Sequence, residues 1–414
     1  MTNFIDSTFY KFIKYSKKGK ERQMKKVRYI LIIALAGLFL LPSILTDAAM
    51  AQEKKLVKLG FIGPLTGPNA AVGLGARNSA DLAVRQANEK GNLPFKLELV
   101  VLDDASDPTT GVAAATKLCS DALVMAATTH FNSPVGLATI HVFHRYGVPQ
   151  MFWGGIHPDI TYKHNYPEVT RICPNTIVEH ERLAQFVIEK FGYKDWAIIY
   201  DISSYGKSCL DAAKKAVAKM NGKVLAEEGI AVGATDFRPI LSKIKSMKPA
   251  PQVVYYGGVV TEAALIKIQM NELGMKNLYA GVTGLDSETF NATTKEAAEG
   301  TFIVGKAHID ENSPFVKAYK AAGYKEYYEA TGPYAYDAVN LIIEALKKSG
   351  LDDKKKLAQT IRETEYTGIL GTTKFDSFGQ TVSGGLTYKV SQDKKWTLWE
   401  NSDYAKEKRP IPGK

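Results

Sequence analysis

Cysteine is scarce: Cys119, Cys173 and Cys209 are the only three in 414 residues. So few exclude a disulfide-built scaffold, allow at most one bridge within a monomer, and leave one thiol free or paired outside the chain. Their spacing matches no zinc pattern. The chain also lacks a G-x-x-x-x-G-K-[ST] phosphate loop and a G-x-S-x-G nucleophile elbow. No nucleophile stands with a matched base, so nothing supports catalysis, and neither a metal nor a cofactor is expected. Long apolar runs are missing as well. Tyr29 to Leu41 is apolar but too short, and stopped by Pro42, to span a membrane.

That run has another use. Lys25, Lys26 and Arg28 form a charged segment before it, and Ala49-Met50-Ala51 follows as an A-x-A site. The pattern is a secretory signal, residues 1–51, cut after Ala51, with Met24 as an alternative initiator. Excess charge of one sign is then missing too. The whole chain has 53 Lys and Arg against 43 Asp and Glu, but residues 1–51 carry nine and three of these, leaving a net charge of +4. Such a balance does not point to nucleic acid.

What remains alternates strand-like and helix-like segments from Leu56 onward. Residues 56–63, 95–104, 122–128, 148–155 and 169–174 read as strands with helices between, beginning with a helix over 74–89. The alternation restarts with a helix at 177–191, then strands at 195–203, 223–231, 252–258, 277–282 and 301–307. Short apolar strands separated by helices of about ten or more residues call for parallel sheets covered on both faces. The expected fold class is α/β, with two doubly wound Rossmann-like lobes. Helices near 314–329, 333–348 and 354–364 and strands around 372–376 and 384–396 are too little for a third domain. They should complete the two lobes, so the chain crosses between lobes several times and forms a hinge. Ligands of open α/β sheets sit at the carboxyl ends of strands, so two facing lobes make a binding cleft.

One stretch, residues 126–161, concentrates the site signals. Ser133 as N-cap with Pro134 in the first turn starts a helix whose N-terminus can hold a carboxylate. Phe131, Phe152 and Trp153 offer apolar walls, and Gly154-Gly155 lets backbone approach a ligand. In the second lobe Ser203-Ser204-Tyr205-Gly206 repeats the arrangement. Other candidates have plainer readings. Gly73-x-Gly75 lacks the third glycine of a dinucleotide fingerprint. His141 and His144 fit a solvated helix face better than a metal site. His130 and His157 are equally a ligand contact or structural, and Asp103-Asp104 fits a capped turn better than a catalytic pair.

Taken together, the residues resemble the periplasmic solute-binding proteins of ABC importers, of the branched-chain amino acid (Leu/Ile/Val-binding) type. The matching motifs are Gly63-Pro64-Leu65-Thr66-Gly67, Asp103 to Pro108, the Ser133 helix start, Tyr205-Gly206 after Asp201, Asp236-Phe237, Tyr255 to Gly258, Ala298-Glu299-Gly300, and Phe375-Asp376 with Gly379. The resemblance implies a periplasmic binding protein type I fold, a Venus flytrap without enzymatic activity. Its lobes are residues 52–174 with 307–370, and 175–306 with 371–414. It also implies a monomer in the periplasm that takes a small-molecule solute to permease subunits in the inner membrane with cytoplasmic ATPases. A membrane-anchored sensor is the alternative.

By the same resemblance, Ser133 and the strand end at Gly154, Gly155 and Ile156 hold a substrate carboxylate, and Tyr205 contacts the ligand from the second lobe. The ammonium half is altered. Thr283 stands where amino acid binders have an acid, Ile156 where they have a hydroxyl, and Val72 and Val259 where tyrosine is frequent. Ser106 and Asn132 replace the family's first-lobe disulfide. A buried ammonium without a counter-charge loses several kcal/mol of compensation. The expected ligand is therefore a small carboxylate or polar organic solute without an α-ammonium, aromatic in view of Phe131, Phe152, Trp153 and Tyr205. A branched-chain amino acid, with Asp286 or Glu288 displaced into the acidic role, is the alternative. The expected ligand-binding set is Phe131, Ser133, Trp153, Gly154, Gly155, Ile156, Tyr205, Val259 and Thr283.

Overall fold

The computed structural model describes residues 22–24, 54–383 and 385–413; the proposed signal segment and its cleavage site lie outside them, apart from 22–24, a single helical turn. The chain divides into two units, residues 1–55 and 56–414, and the second carries the fold.

Its first sheet is built from β1 (Lys55–Gly63), β2 (Phe95–Asp103), β3 (Val124–Thr129), β4 (Gln150–Phe152) and β5 (Val169–Arg171) in the order β2-β1-β3-β4-β5. β3 runs parallel to β1 and β4, and β4 to β5. Crossover helices α1 (Ala70–Glu89), α2 (Pro108–Cys119), α3 (Ser133–Tyr146) and the single turn α4 (Asp159–Tyr162) connect them. α1 begins at Ala70, a turn earlier than the sequence suggested. Its glycines are the reason: a Cβ on Gly73 would overlap the Pro64 carbonyl, and one on Gly75 the Tyr327 carbonyl. Here glycine lets a helix lie directly on neighbouring backbone.

After α5 (Thr176–Phe191) the second sheet follows: β6 (Asp195–Asp201), α6 (Ser204–Lys219), β7 (Lys223–Ile230), α7 (Arg238–Ser246), β8 (Val253–Gly257), α8 (Val260–Glu272), β9 (Leu278–Gly281), α9 (Glu288–Thr294) and β10 (Phe302–Gly305). The chain then returns to the first lobe through α10 (Pro314–Ala321), α11 (Gly332–Ser349), which packs on α1, and α12 (Lys354–Glu363). A hairpin of β11 (Tyr366–Gly368) and β12 (Gly371–Thr373) stands apart from both large sheets. The final hairpin, β13 (Thr387–Gln392) and β14 (Lys395–Leu398), adds to the second sheet antiparallel to β10, giving β14-β13-β10-β9-β8-β6-β7.

Two further expectations differ from this. The helix near 314–329 stops at Ala321, because Gly323 turns left-handed (φ 70°) and the tyrosine-rich 324–328 packs back onto Phe315 and Tyr319. The 372–376 segment pairs locally instead of extending a large sheet. The architecture otherwise follows the alternation: two doubly wound α/β lobes joined by several crossovers.

Strand order reverses between β1 and β3 in one sheet and between β6 and β8 in the other. The crevice outside the carboxyl ends of strands at such a switch point is where these sheets bind ligands. Among the described residues no helix is long and apolar enough to cross a membrane.

Candidate ligand-binding site

A cavity of about 240 Å³ lies between the two strand-end crevices. Ser106 and the α2 residue Pro108 reach it after β2, Phe131 and Asn132 with the first α3 residues Ser133 and Pro134 after β3, and Gly154 and Ile156 after β4. From the second lobe come Asp201, Ser203 and Tyr205 after β6, Val232 after β7, Val259 after β8, Thr283 and Gly284 after β9, and Lys306 after β10.

Ser133 is the first residue of α3, with Asn132 at the cap, one position from where the sequence placed it. Its Oγ accepts the amides of Ile156 and His157, both at 3.1 Å. A hydroxyl has two acceptor lone pairs and one proton. With both lone pairs used, Ser133 can offer only its proton, which suits a carboxylate and not an ammonium.

The 155–157 turn that supplies those amides is held by Arg171, a buried side chain at the end of β5. Arg171 donates to the carbonyls of His157 (2.6 Å) and Gly155 (3.3 Å), to Thr161 Oγ1 (3.1 Å) and to Gln380 Oε1 (2.6 Å). Burial pulls its pKa down to about 10. The guanidinium still carries its charge at neutral pH and ties the turn to the chain's last crossover.

Of the expected residues, Phe131, Gly154, Ile156, Tyr205, Val259 and Thr283 line the cavity with Ser133. Two expected residues do not. Trp153 is fully buried one layer behind, stacked between Phe61 (5.8 Å) and Phe131 (6.1 Å). Strand alternation turns it into the core, and it supports the wall made by Phe131. Gly155 faces Phe152 and Ile160, and its amide donates to the His130 carbonyl at 3.0 Å. The close backbone approach belongs to Gly154, where a Cβ would meet the Phe131 backbone at 2.8 Å.

The doubtful candidates resolve toward structure. His130 is buried between Asp104 (2.8 Å) and Thr139 (2.9 Å). His157 accepts the Asp159 amide at 3.1 Å and is not in the lining. Asp103 and Asp104 accept the amides of Ala105 and Ser106 and shape the turn before α2. His141 and His144 contact Tyr166 and Glu168, and among the described residues no cluster could hold a metal. All three cysteines are free and buried.

The acidic groups are placed tellingly. Asp286 and Glu288 border a separate cavity of about 470 Å³ with Glu311 and Glu329, where Asp286 pairs with Lys389 at 2.8 Å. They are not at the Ser133 cavity, so they do not supply the displaced ammonium partner. Asp201 does border it, but its carboxylate accepts the Ser203 amide (2.9 Å) and hydroxyl. Glu179 on α5 lies behind Thr283, whose hydroxyl donates to it at 2.7 Å. Desolvation by burial pushes Glu179 up to about 7.

Sequence reasoning missed Lys306. The residue is 2% exposed and lines the cavity, and its buried ammonium has no hydrogen-bond partner among the described residues. The available signal was position: a lysine immediately after a buried strand, at the carboxyl end where ligands bind.

The periplasmic binding protein family model matches residues 56–395. The chain belongs to the periplasmic binding protein family. It is 31% identical to the Leu/Ile/Val-binding protein BraC3 of Rhizobium johnstonii over 346 residues, 82% of this chain and 91% of that one. Among solved structures, it is similar to the branched-chain amino acid transporter substrate-binding protein LivJ of Streptococcus pneumoniae in complex with isoleucine. The TM-score is 0.75 at 24% identity, covering 83% of this chain and 98% of that one. A solute-binding protein of an ABC transporter from R. palustris, in complex with benzoate, gives a TM-score of 0.75 at 21% identity, covering 83% and 95%. Within its family the protein is a periplasmic binding protein of the branched-chain amino acid type, and such relatives are solute binders rather than enzymes.

Proposed function

We propose that this binding protein captures a small organic acid without an α-ammonium between its lobes and delivers it to an importer. The observation that carries this reading is the polarity of the cavity. Ser133 has only a proton to offer, Lys306 adds a cation, Asp201 is engaged by Ser203, and Glu179 lies behind Thr283. Between these groups the walls are apolar: Phe131, Ile156, Val232 and Val259. An aromatic or aliphatic body fits such walls, and a carboxylate fits the donors. The two neighbours bound to isoleucine and to benzoate bracket the choice, and the cavity's chemistry favours the benzoate side.

The chain acts as an exported monomer in the periplasm after loss of residues 1–51, with permease subunits and their cytoplasmic ATPases as partners. Its lobes divide as 52–174 with 307–370 and 175–306 with 371–414. Contacts made by the solute to both lobes favour the closed form.

Calorimetric titration of residues 52–414 separates the readings. Benzoate or 4-hydroxybenzoate is expected to bind and to be recovered unchanged, with leucine silent. Ser133→Ala should weaken the acid by about 1–3 kcal/mol. Micromolar leucine binding with no response to the acids would contradict the proposal.

A further inference from the structure

We infer that Lys306 is the counter-charge of the bound solute and makes the interlobe cavity select net anions over neutral and zwitterionic molecules. This rests on the organic-acid reading above and adds the residue that enforces it.

Three observations converge on the side chain. First, its backbone is pinned: the Lys306 amide donates to Asp286 Oδ2 at 2.7 Å, and its carbonyl accepts from Thr387 Oγ1 at 2.7 Å. The side chain therefore leaves a fixed point at the end of β10. Second, Lys306 lines the cavity and its ammonium is buried. Nζ lies over the Tyr334 ring, 4.9 Å from its centre, and has neither a hydrogen-bond partner nor a carboxylate within ion-pair distance among the described residues. Third, neither nearby acid pairs with it directly. Asp201 receives Ser203 at the start of α6. Glu179 takes the Thr283 hydroxyl on one oxygen, leaves the other without a partner among the described residues, and acts on Lys306 only through its charge at longer range.

A buried ammonium without a hydrogen-bonding anion is costly, and a ring face offsets only part of that cost. A carboxylate entering the cavity completes the pair, in an environment where a charge-assisted hydrogen bond is strong. A neutral solute brings no such compensation. A zwitterion brings its own ammonium against Lys306, and the unpartnered oxygen of Glu179 lies behind Thr283. The same feature that welcomes the anion thus penalises an α-amino acid, which joins the preference and the exclusion in one side chain.

The competing role for Lys306 is purely structural, a charge placed to offset buried Glu179. The two roles separate in a ratio of affinities. Residues 52–414, as wild type, Lys306→Met and Lys306→Arg, would be titrated with benzoate and benzamide, and with 4-hydroxybenzoate and its amide. The wild type should prefer acid over amide by about 30-fold or more, and Lys306→Met should cut that preference by about tenfold or more. Amide affinity should stay within about threefold, since the apolar walls are untouched. Lys306→Arg should keep most of the preference.

An unchanged acid-to-amide ratio in Lys306→Met overturns the inference, whatever happens to stability. Should Lys306→Met fold poorly, Glu179→Gln in the same chain removes the acid left unbalanced, and the ratio is read there. Failure of the organic-acid reading looks different: the wild type binds leucine and neither acid.

Discussion

At the scale of single residues, hydrogen-bond inventory says more than residue type. Serine at a helix start is an ordinary cap, and the sequence could show no more than that. Two accepted amides convert Ser133 into an obligate donor, and a fold-level contact between α3 and the 155–157 turn supplies them. Lys306 was missed for the converse reason: its place just after a buried strand was legible, but an exposed and a buried lysine look alike until strands are assembled.

Buried acids give this scale its prediction. Glu329, left-handed at φ 53° before α11, accepts the Glu288 amide at 3.3 Å and is 5% exposed. Desolvation raises it from 4.5 to about 7, and burial takes Asp337 from 3.8 to about 6. A carboxyl whose folded pKa exceeds its unfolded value binds protons preferentially in the folded state. Its contribution therefore favours folding at acid pH and falls as pH rises from about 4.5 to about 7, with no further change above. Denaturant unfolding of the ligand-free protein at pH 5, 6, 7 and 8 should show stability declining across the lower part of that range. Glu329→Gln should flatten part of the decline. A slope unaltered by the substitution would contradict the assignment.

At the scale of elements, most of the fold was legible, since each β-strand and helix of a doubly wound lobe carries its own periodicity. The exceptions had physical causes that lie outside a local pattern. The start of α1 was missed because its glycines read as a loop, whereas they allow Gly73 and Gly75 to touch the backbone of residues 64 and 327. Trp153 and Gly155 were misjudged because the three-residue β4 leaves little alternation from which to tell a lining residue from a supporting one. Ser133, Tyr205 and Thr283, picked out by the family resemblance, lie on the cavity wall, yet the resemblance could not show that Asp286 pairs with Lys389 beside a different cavity. Gly73→Ala tests the packing account of α1. Its methyl has no room beside the Pro64 carbonyl, so the substitution should cost about 1–3 kcal/mol in unfolding free energy despite alanine's higher helix propensity. A neutral or stabilising result would show that α1 can shift away.

At the scale of the whole molecule, the strand order of each sheet opens a crevice, and the crossovers bring the two crevices face to face. Arg171 and Gln380 join two of those crossovers at 2.6 Å, so the turn that orients Ser133 is coupled to the hinge. Ligand chemistry and lobe geometry are thus linked through one buried side chain. A solute that satisfies donors from both lobes stabilises their closed arrangement by its extra contacts there. The most direct test is a crystal structure of residues 52–414 grown with benzoate or 4-hydroxybenzoate. The account predicts the acid in the interlobe cavity, its carboxylate about 2.5–3.2 Å from Ser133 Oγ or Lys306 Nζ and its ring against Phe131 and Val259. An amino acid in that cavity with its ammonium on Asp201 or Glu179, or an acid bound away from Ser133 and Lys306, would contradict it.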